Sequence, residues 1–212
     1  MKFRRKSAEP DIADPALLDD AVDPAAPVQG PFDVDDLPAD DVERLDLGSL
    51  LIEPQEGLEL RLQVDEATGE VQAVLLAGED GALELRAFAA PRGGDLWGTV
   101  RPQIAADMAQ HGGVASEREG RFGPELVCQL TVQLEDGTTA TQPSRIIGIN
   151  GPRWMLRATL LGRPAVEVDD AAAWEDSITR VAVRRGTGAM PVGDVLPVTL
   201  PENARRLDPP TA

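Results

Sequence analysis

"PSRIIGINGPRWMLRATLLG", residues 143–162, reads as a β-hairpin: two apolar runs flank Asn150-Gly151, a strong turn signal. A two-residue turn would need residue 152 to donate the closing backbone hydrogen bond. Residue 152 is proline and has no N–H, so the loop is three or four residues long. With a three-residue loop, 150–152, Ile149 faces Arg153, Ile147 faces Met155 and Arg145 faces Arg157 on one side of the ribbon. The other side carries Trp154, Leu156, Ala158 and Leu160; it is the more apolar and belongs in the core. Two directly opposed arginines repel each other unless an anion lies beside them, and the guanidinium fork suits carboxylate or phosphate. Arg145, Arg153, Met155 and Arg157 are therefore the candidate binding residues. The anion they meet is either internal or external. Glu59, Glu84, Glu125, the aspartates at the start of the second helix and the acidic N-terminal stretch are the internal candidates. An acidic ligand or an acidic protein partner is the external one.

Working outward, "LELRLQV" alternates Leu58, Leu60, Leu62 and Val64 against Glu59, Arg61 and Gln63, as a strand with one wet side does. "VQAVLLA" (71–77) and "ALELRAFAA" (82–90) follow after the short turns "DEATGE" and "GEDG", so the three strands form an antiparallel meander. In residues 93–113 the period changes. Trp97, Val100, Ile104 and Met108 recur at helical spacing, and Pro102 predicts either a kink near residue 98 or a helix start close to Thr99. "ELVCQLTVQL" (125–134) is again a strand, and the hairpin supplies two more. Residues 169–183 predict a second helix capped by Asp169 or Asp170, with Trp174, Ile178 and Val181 on its apolar stripe. The proline-rich end predicts an extended strap. The expected fold class is α+β: an antiparallel sheet of about six strands with two helices packed on one face.

Residues 1–43 read as a disordered, acidic, proline-rich tail: from 9 to 43 there are acidic residues, repeated prolines and no basic residue. Apolar islands at Leu17, Leu18, Phe32, Val34 and Leu37 interrupt it. A single domain over residues 44–201 and a loose end over 202–212 complete the expected organisation. Aromatic residues make up 3% of the chain, so the core is expected to be aliphatic. The net charge of −17 repels nucleic acid and anionic lipid. The basic start "MKFRRK" is followed by no apolar run, no stretch is long enough for an integral membrane contact, and the single Cys128 suits a reducing compartment. A cytoplasmic location is the expectation.

The fingerprints for dinucleotides, nucleotide phosphates and the serine nucleophile elbow are not present in the sequence, and no cofactor is expected. No metal site is expected from one histidine and one cysteine. His111 reads as a cap on the first helix and Cys128 as a small core residue. Two functions remain open: a protein-binding or assembly module that uses the arginine-bearing sheet face, and an enzyme that handles a small anionic substrate with carboxylate and arginine chemistry.

Residues 57–92, "LWGTVRPQIAADMAQ", "QPSRIIGINGPRWMLRATLLG" and "WEDSITRVAVRRG" together resemble an uncharacterised family of actinobacterial proteins known as a domain of unknown function. The likeness spans roughly residues 44–201, and the G-P-R-W-x-L-R block is its most distinctive part. It implies a small cytoplasmic protein and carries no catalytic residue across. In element order the chain is also similar to the PsbP-like fold, which implies a binding or assembly role more than an enzyme.

Overall fold

The computed structural model describes residues 30–133 and 137–201. Its elements, in chain order, are β1 (Phe32–Asp33), β2 (Leu45–Asp46), β3 (Leu50–Ile52), β4 (Glu59–Val64), β5 (Val71–Ala77), β6 (Gly81–Ala89), α1 (Leu96–Gln110), β7 (Val114–Gly120), β8 (Gly123–Gln133), β9 (Thr139–Asn150), β10 (Trp154–Gly162), α2 (Val168–Thr179) and β11 (Ala182–Val183). The larger sheet has seven strands in the order β4-β5-β6-β10-β9-β8-β7, all antiparallel. A smaller sheet runs β1-β11-β3-β2, with β1 parallel to β11 and the other pairs antiparallel. The α+β class and the two helices are as expected, and the main sheet has seven strands instead of about six. The added strand is β7, "VASEREG", which lies at the sheet edge with mostly wet side chains and so carries no apolar alternation.

The expectation that both helices share one face is corrected. Leu83, Leu85, Ala87, Leu156, Ala158, Leu160 and Ile147 point to one side, where Ala171 and Ile178 of α2 and Leu50 and Ile52 of the small sheet cover them. On the opposite side, Leu126, Cys128, Ile146 and Met155 pack beneath Leu96 and Trp97 of α1. Adjacent residues such as Ile146 and Ile147, or Met155 and Leu156, are both buried, so this half of the sheet presents apolar side chains on both faces and each needs a cover.

Helix α1 begins at Leu96, not near Thr99, because Asp95 caps it by accepting from the Gly98 N–H at 2.7 Å. Pro102 is carried inside the helix and leaves the Gly98 carbonyl without its usual donor. His111 closes the helix with its ring Nδ1 2.8 Å from the Asp107 carbonyl. The cap position of α2 is Glu167, whose side chain makes no capping bond, and the helix ends at Thr179, so that residues 182–183 form a strand and not a last helical turn. The fold also reaches upstream of the expected boundary at residue 44: Phe32 is buried with Leu51 and Ala182, and its N–H bonds to the Val181 carbonyl at 2.9 Å. The rest of the expected tail, residues 1–29, and the expected loose end, 202–212, lie outside the described residues. The strap is present as read. Leu196 is buried and bonds to Ala87, Val195 bridges Phe88, and Val198 bridges Gly48. Among the described residues, no helix is long and apolar enough to cross a membrane.

Candidate functional site

The hairpin of β9 and β10 has a four-residue connection, Gly151 to Trp154, closed by the Gly151 N–H donating to the Trp154 carbonyl at 2.8 Å, and its last paired residues are Asn150 and Met155. Leu156 therefore lies opposite Ile149, Ala158 opposite Ile147 and Leu160 opposite Arg145. This register differs by three residues from the one a three-residue loop would set. Because side chains alternate with period two, an odd shift turns one strand over relative to the other. Arg145 and Arg157 consequently lie on opposite faces, and the four candidate residues do not form one surface.

Arg145 is an interior residue at 1% exposure. Its Nε lies 2.8 Å from Glu125 Oε1, and its Nη2 donates to Glu175 of α2. Arg118 of β7 approaches the same Glu125 oxygen at 2.5 Å. Glu125 is 0% exposed, and its carboxylate occupies the space a Cβ on Gly120 would fill. The cluster ties α2 and the edge strand β7 to the middle of the sheet. Met155, 2% exposed, is equally internal and packs under α1.

Arg157 is on the α1 face, beyond the part that the helix covers, and directly opposite Arg86 of β6. One carboxylate serves both: Glu84 lies 2.9 Å from Arg86 and 3.8 Å from Arg157. The Arg157 guanidinium also sits over the Phe88 ring, 5.3 Å from its centroid. Burial first, and then the like charge of Arg86, pull the Arg157 guanidinium below its ordinary value, with Glu84 opposing. Across β9 the neighbour of Arg157 is Gly148, on which the Trp97 ring rests.

Arg153 lies at the hairpin end, where two other segments come together. The Ala90 N–H donates to the Arg153 carbonyl at 2.9 Å, and the Gly93 N–H to the Pro152 carbonyl at 3.2 Å, so the turn bearing Arg92 is stitched to the hairpin. The Arg153 side chain donates to the Gly186 carbonyl at 2.8 Å, which brings in the segment bearing Arg185. Among the described residues, Arg92, Arg153 and Arg185 are the arginines with no carboxylate at ion-pair distance; the others, from Arg44 to Arg184, each have one. Two carboxylates close to the hairpin are engaged by other donors. Asp95 accepts from Gly98 and from the Asn150 side chain, and Asp33 accepts from Asp35 and from Trp154 Nε1. Asn150, read as a turn residue, also accepts from the Trp97 N–H at 3.1 Å and so clamps the start of α1 to the hairpin. Arg92 and Arg185 escaped the sequence reading because their approach to Arg153 depends on two distant loops; the only local signals were "RGG" and "RRG".

Away from the hairpin, a shallow hollow lies between Leu58, Gly78 and Trp174, with Glu56, Glu79 and Asp80 on its rim. The acidic rim disfavours a small anionic substrate. Among the described residues, no three His, Cys, Asp or Glu side chains come together as a metal ion would need. Fold and surface define an α+β protein with two arginine-bearing regions, one on the open part of the sheet and one at the hairpin end.

Residues 30–206 match the model of a family described as a protein of unknown function, DUF3710, and the chain belongs to that family. The match starts at Gly30, where the described structure starts, and includes β1. No curated protein and no solved structure matches the chain.

Proposed function

We propose that the protein is a cytoplasmic protein-binding or assembly module in which the hairpin end, through Arg92, Arg153 and Arg185, meets an acidic segment of a partner protein. The observation that carries the reading is that the segments bearing Arg92, Arg153 and Arg185, which among the described residues have no carboxylate at ion-pair distance, meet at the hairpin end of a chain whose net charge is −17. In such a chain, chance pairing supplies most arginines with an internal carboxylate, as it does for Arg61 and Arg163. Leaving a group of them without one conserves donors that fit carboxylates. The partner is assigned as protein, not nucleic acid, because the long-range field of the chain repels a polyphosphate.

The test is affinity capture from a native lysate, comparing the parent with the variant carrying Arg92→Ala, Arg153→Ala and Arg185→Ala. The expected result is loss of a specific captured protein, retention by the corresponding lysine variant at low salt, and thermal stability within about 0.5 kcal/mol of the parent. Capture that is unchanged by the triple substitution overturns the reading.

A further inference from the structure

Arg153 and Arg185 donate to the Gly186 and Gly188 carbonyls but, among the described residues, meet no carboxylate, and the chain carries a complementary group of charges. Residues 9–29 hold Glu9, Asp11, Asp14, Asp19, Asp20 and Asp23 and no basic residue. We infer that this acidic segment docks on Arg92, Arg153 and Arg185 of its own chain and competes there with the external partner, an inference that rests on the reading proposed above.

Three observations favour this occupant. First, the charges are complementary: the segment carries six carboxylates, and the three guanidiniums have none at ion-pair distance among the described residues. Secondly, the tether starts within reach of the site, at Gly30 beside the Thr179 carbonyl and three residues before Asp33. Asp33 Oδ2 accepts from Trp154 Nε1 at 2.7 Å, so the stretch just after residues 9–29 already places a carboxylate on the hairpin loop, one residue from Arg153. Phe32 and Asp33 run parallel to Ala182 and Val183, so the chain before Phe32 leaves towards Thr179 and has to turn back to reach Arg185. Some twenty residues of chain, spanning up to about 65 Å when extended, far exceed the distance to be covered. Thirdly, the apolar pair Leu17-Leu18 in the segment has a counterpart, since the strap beside Ala89 exposes Val192 and Val195.

Tethering makes weak pairing sufficient. A short link gives an effective concentration on the order of 1 mM, so a segment that would bind in trans with a Kd of about 0.1 mM occupies the site about nine-tenths of the time and weakens an external acidic ligand about tenfold. The segment thus acts as a built-in competitor, displaced only by a partner that presents more carboxylates or better-placed ones.

The experiment uses the full-length chain and a fluorescein-labelled deca-glutamate peptide as the acidic probe, at about 0.15 M salt. The parent is compared with a chain neutralised by Glu9→Gln, Asp11→Asn, Asp14→Asn, Asp19→Asn, Asp20→Asn and Asp23→Asn, and both are repeated with Arg92→Ala, Arg153→Ala and Arg185→Ala. The neutralised chain should bind the probe about tenfold more tightly than the parent, independently of protein concentration, and the gain should vanish in the alanine background. A gain that persists in the alanine background is a general effect of net charge and overturns the inference. A gain that depends on protein concentration places the segment of a second copy in the site and overturns docking within the chain. Equal, arginine-dependent binding by parent and neutralised chains removes the internal competitor while leaving the acidic-partner reading intact. Binding that is insensitive to the arginines in both chains overturns the two together.

Discussion

Arg145→Met separates the structural arginine from those available to a partner. Arg145 is 1% exposed, and it spans the sheet-bound Glu125 and the α2 residue Glu175. Methionine keeps much of the apolar stem but removes the charge, leaving Glu125 buried with Arg118 as its one remaining cation. Breaking a buried pair by removing one partner costs about 3–5 kcal/mol. Because Arg118 stays on Glu125 and Glu175 retains 13% side-chain exposure, the expected loss is at the lower end, about 3 kcal/mol. At roughly 2–4 °C per kcal/mol for a domain of this size, the melting temperature should fall by about 6–12 °C. Urea unfolding followed by the fluorescence of the buried Trp97 and Trp154 measures the same quantity independently. Adding Glu125→Gln to Arg145→Met should recover part of the loss, because the penalty is an uncompensated charge more than missing volume. A loss below about 1 kcal/mol for the single variant, or a double variant that loses the sum of the two singles, refutes this account of the cluster.

Gly148→Ala should be more damaging than its size suggests, by about 3 kcal/mol in chemical denaturation, since its Cβ would overlap the Trp97 ring and push α1 off the sheet. Asp95→Ala should cost about 1 kcal/mol at neutral pH by removing the α1 cap. The Gly98 N–H and then the Asn150 side chain hold the Asp95 carboxyl below its ordinary value, so its contribution is complete above about pH 4 and lost as the pH falls through the lower folded value. The difference between parent and Asp95→Ala in pH-resolved melting should therefore shrink on acidification, and a gap that widens contradicts the cap. Burial raises the Cys128 thiol, against a hydrogen bond from Ser144, so alkylation at pH 8 should be slow in the native protein and fast in denaturant; equal rates would place Cys128 at the surface. Cross-strand nuclear Overhauser contacts should link Ile149 with Leu156. Contacts of Ile149 with Arg153 as its direct partner would restore the alternative register and put Arg145 back beside Arg157.

The parts legible in the sequence are those in which one face is wet. β4 and β6 alternate leucine against charge over six to nine residues, and α1 and α2 place Trp97, Ile104 and Ile178 at helical spacing. The small sheet is invisible to the same reasoning because its strands are two or three residues long, too short for a period to register. Phe32 looks like an isolated apolar residue in an acidic run, and only its parallel pairing with Ala182 gives it a place in the fold. The engaged carboxylates were partly legible: Glu84 and Glu125 are among the internal candidates that the strand pattern offers. Which arginine each one meets depends on register.

Register is where the functional reading turns. Periodicity assigns each strand of the hairpin an apolar and a polar alternation, but it does not say how the two strands are matched, and in β9 both alternations carry isoleucine, at 146, 147 and 149. One residue more in the loop, together with the pairing of Asn150 with Met155 at its base, changes the match by an odd number and moves Arg145 to the side of Leu156 and Leu160. What decides the match is tertiary. Gly151 makes room for the Trp154 ring to fold back over the loop, Trp154 then reaches Asp33, and Asn150 is claimed by the start of α1. Those contacts consume the polar groups of the turn and leave Arg153 pointing at the Gly186 carbonyl, beside Arg92 and Arg185. The same register that buries Arg145 as part of the fold therefore places a different set of arginines at the hairpin end, and it is that set, with no carboxylate at ion-pair distance among the described residues, to which the proposed acidic partner is assigned.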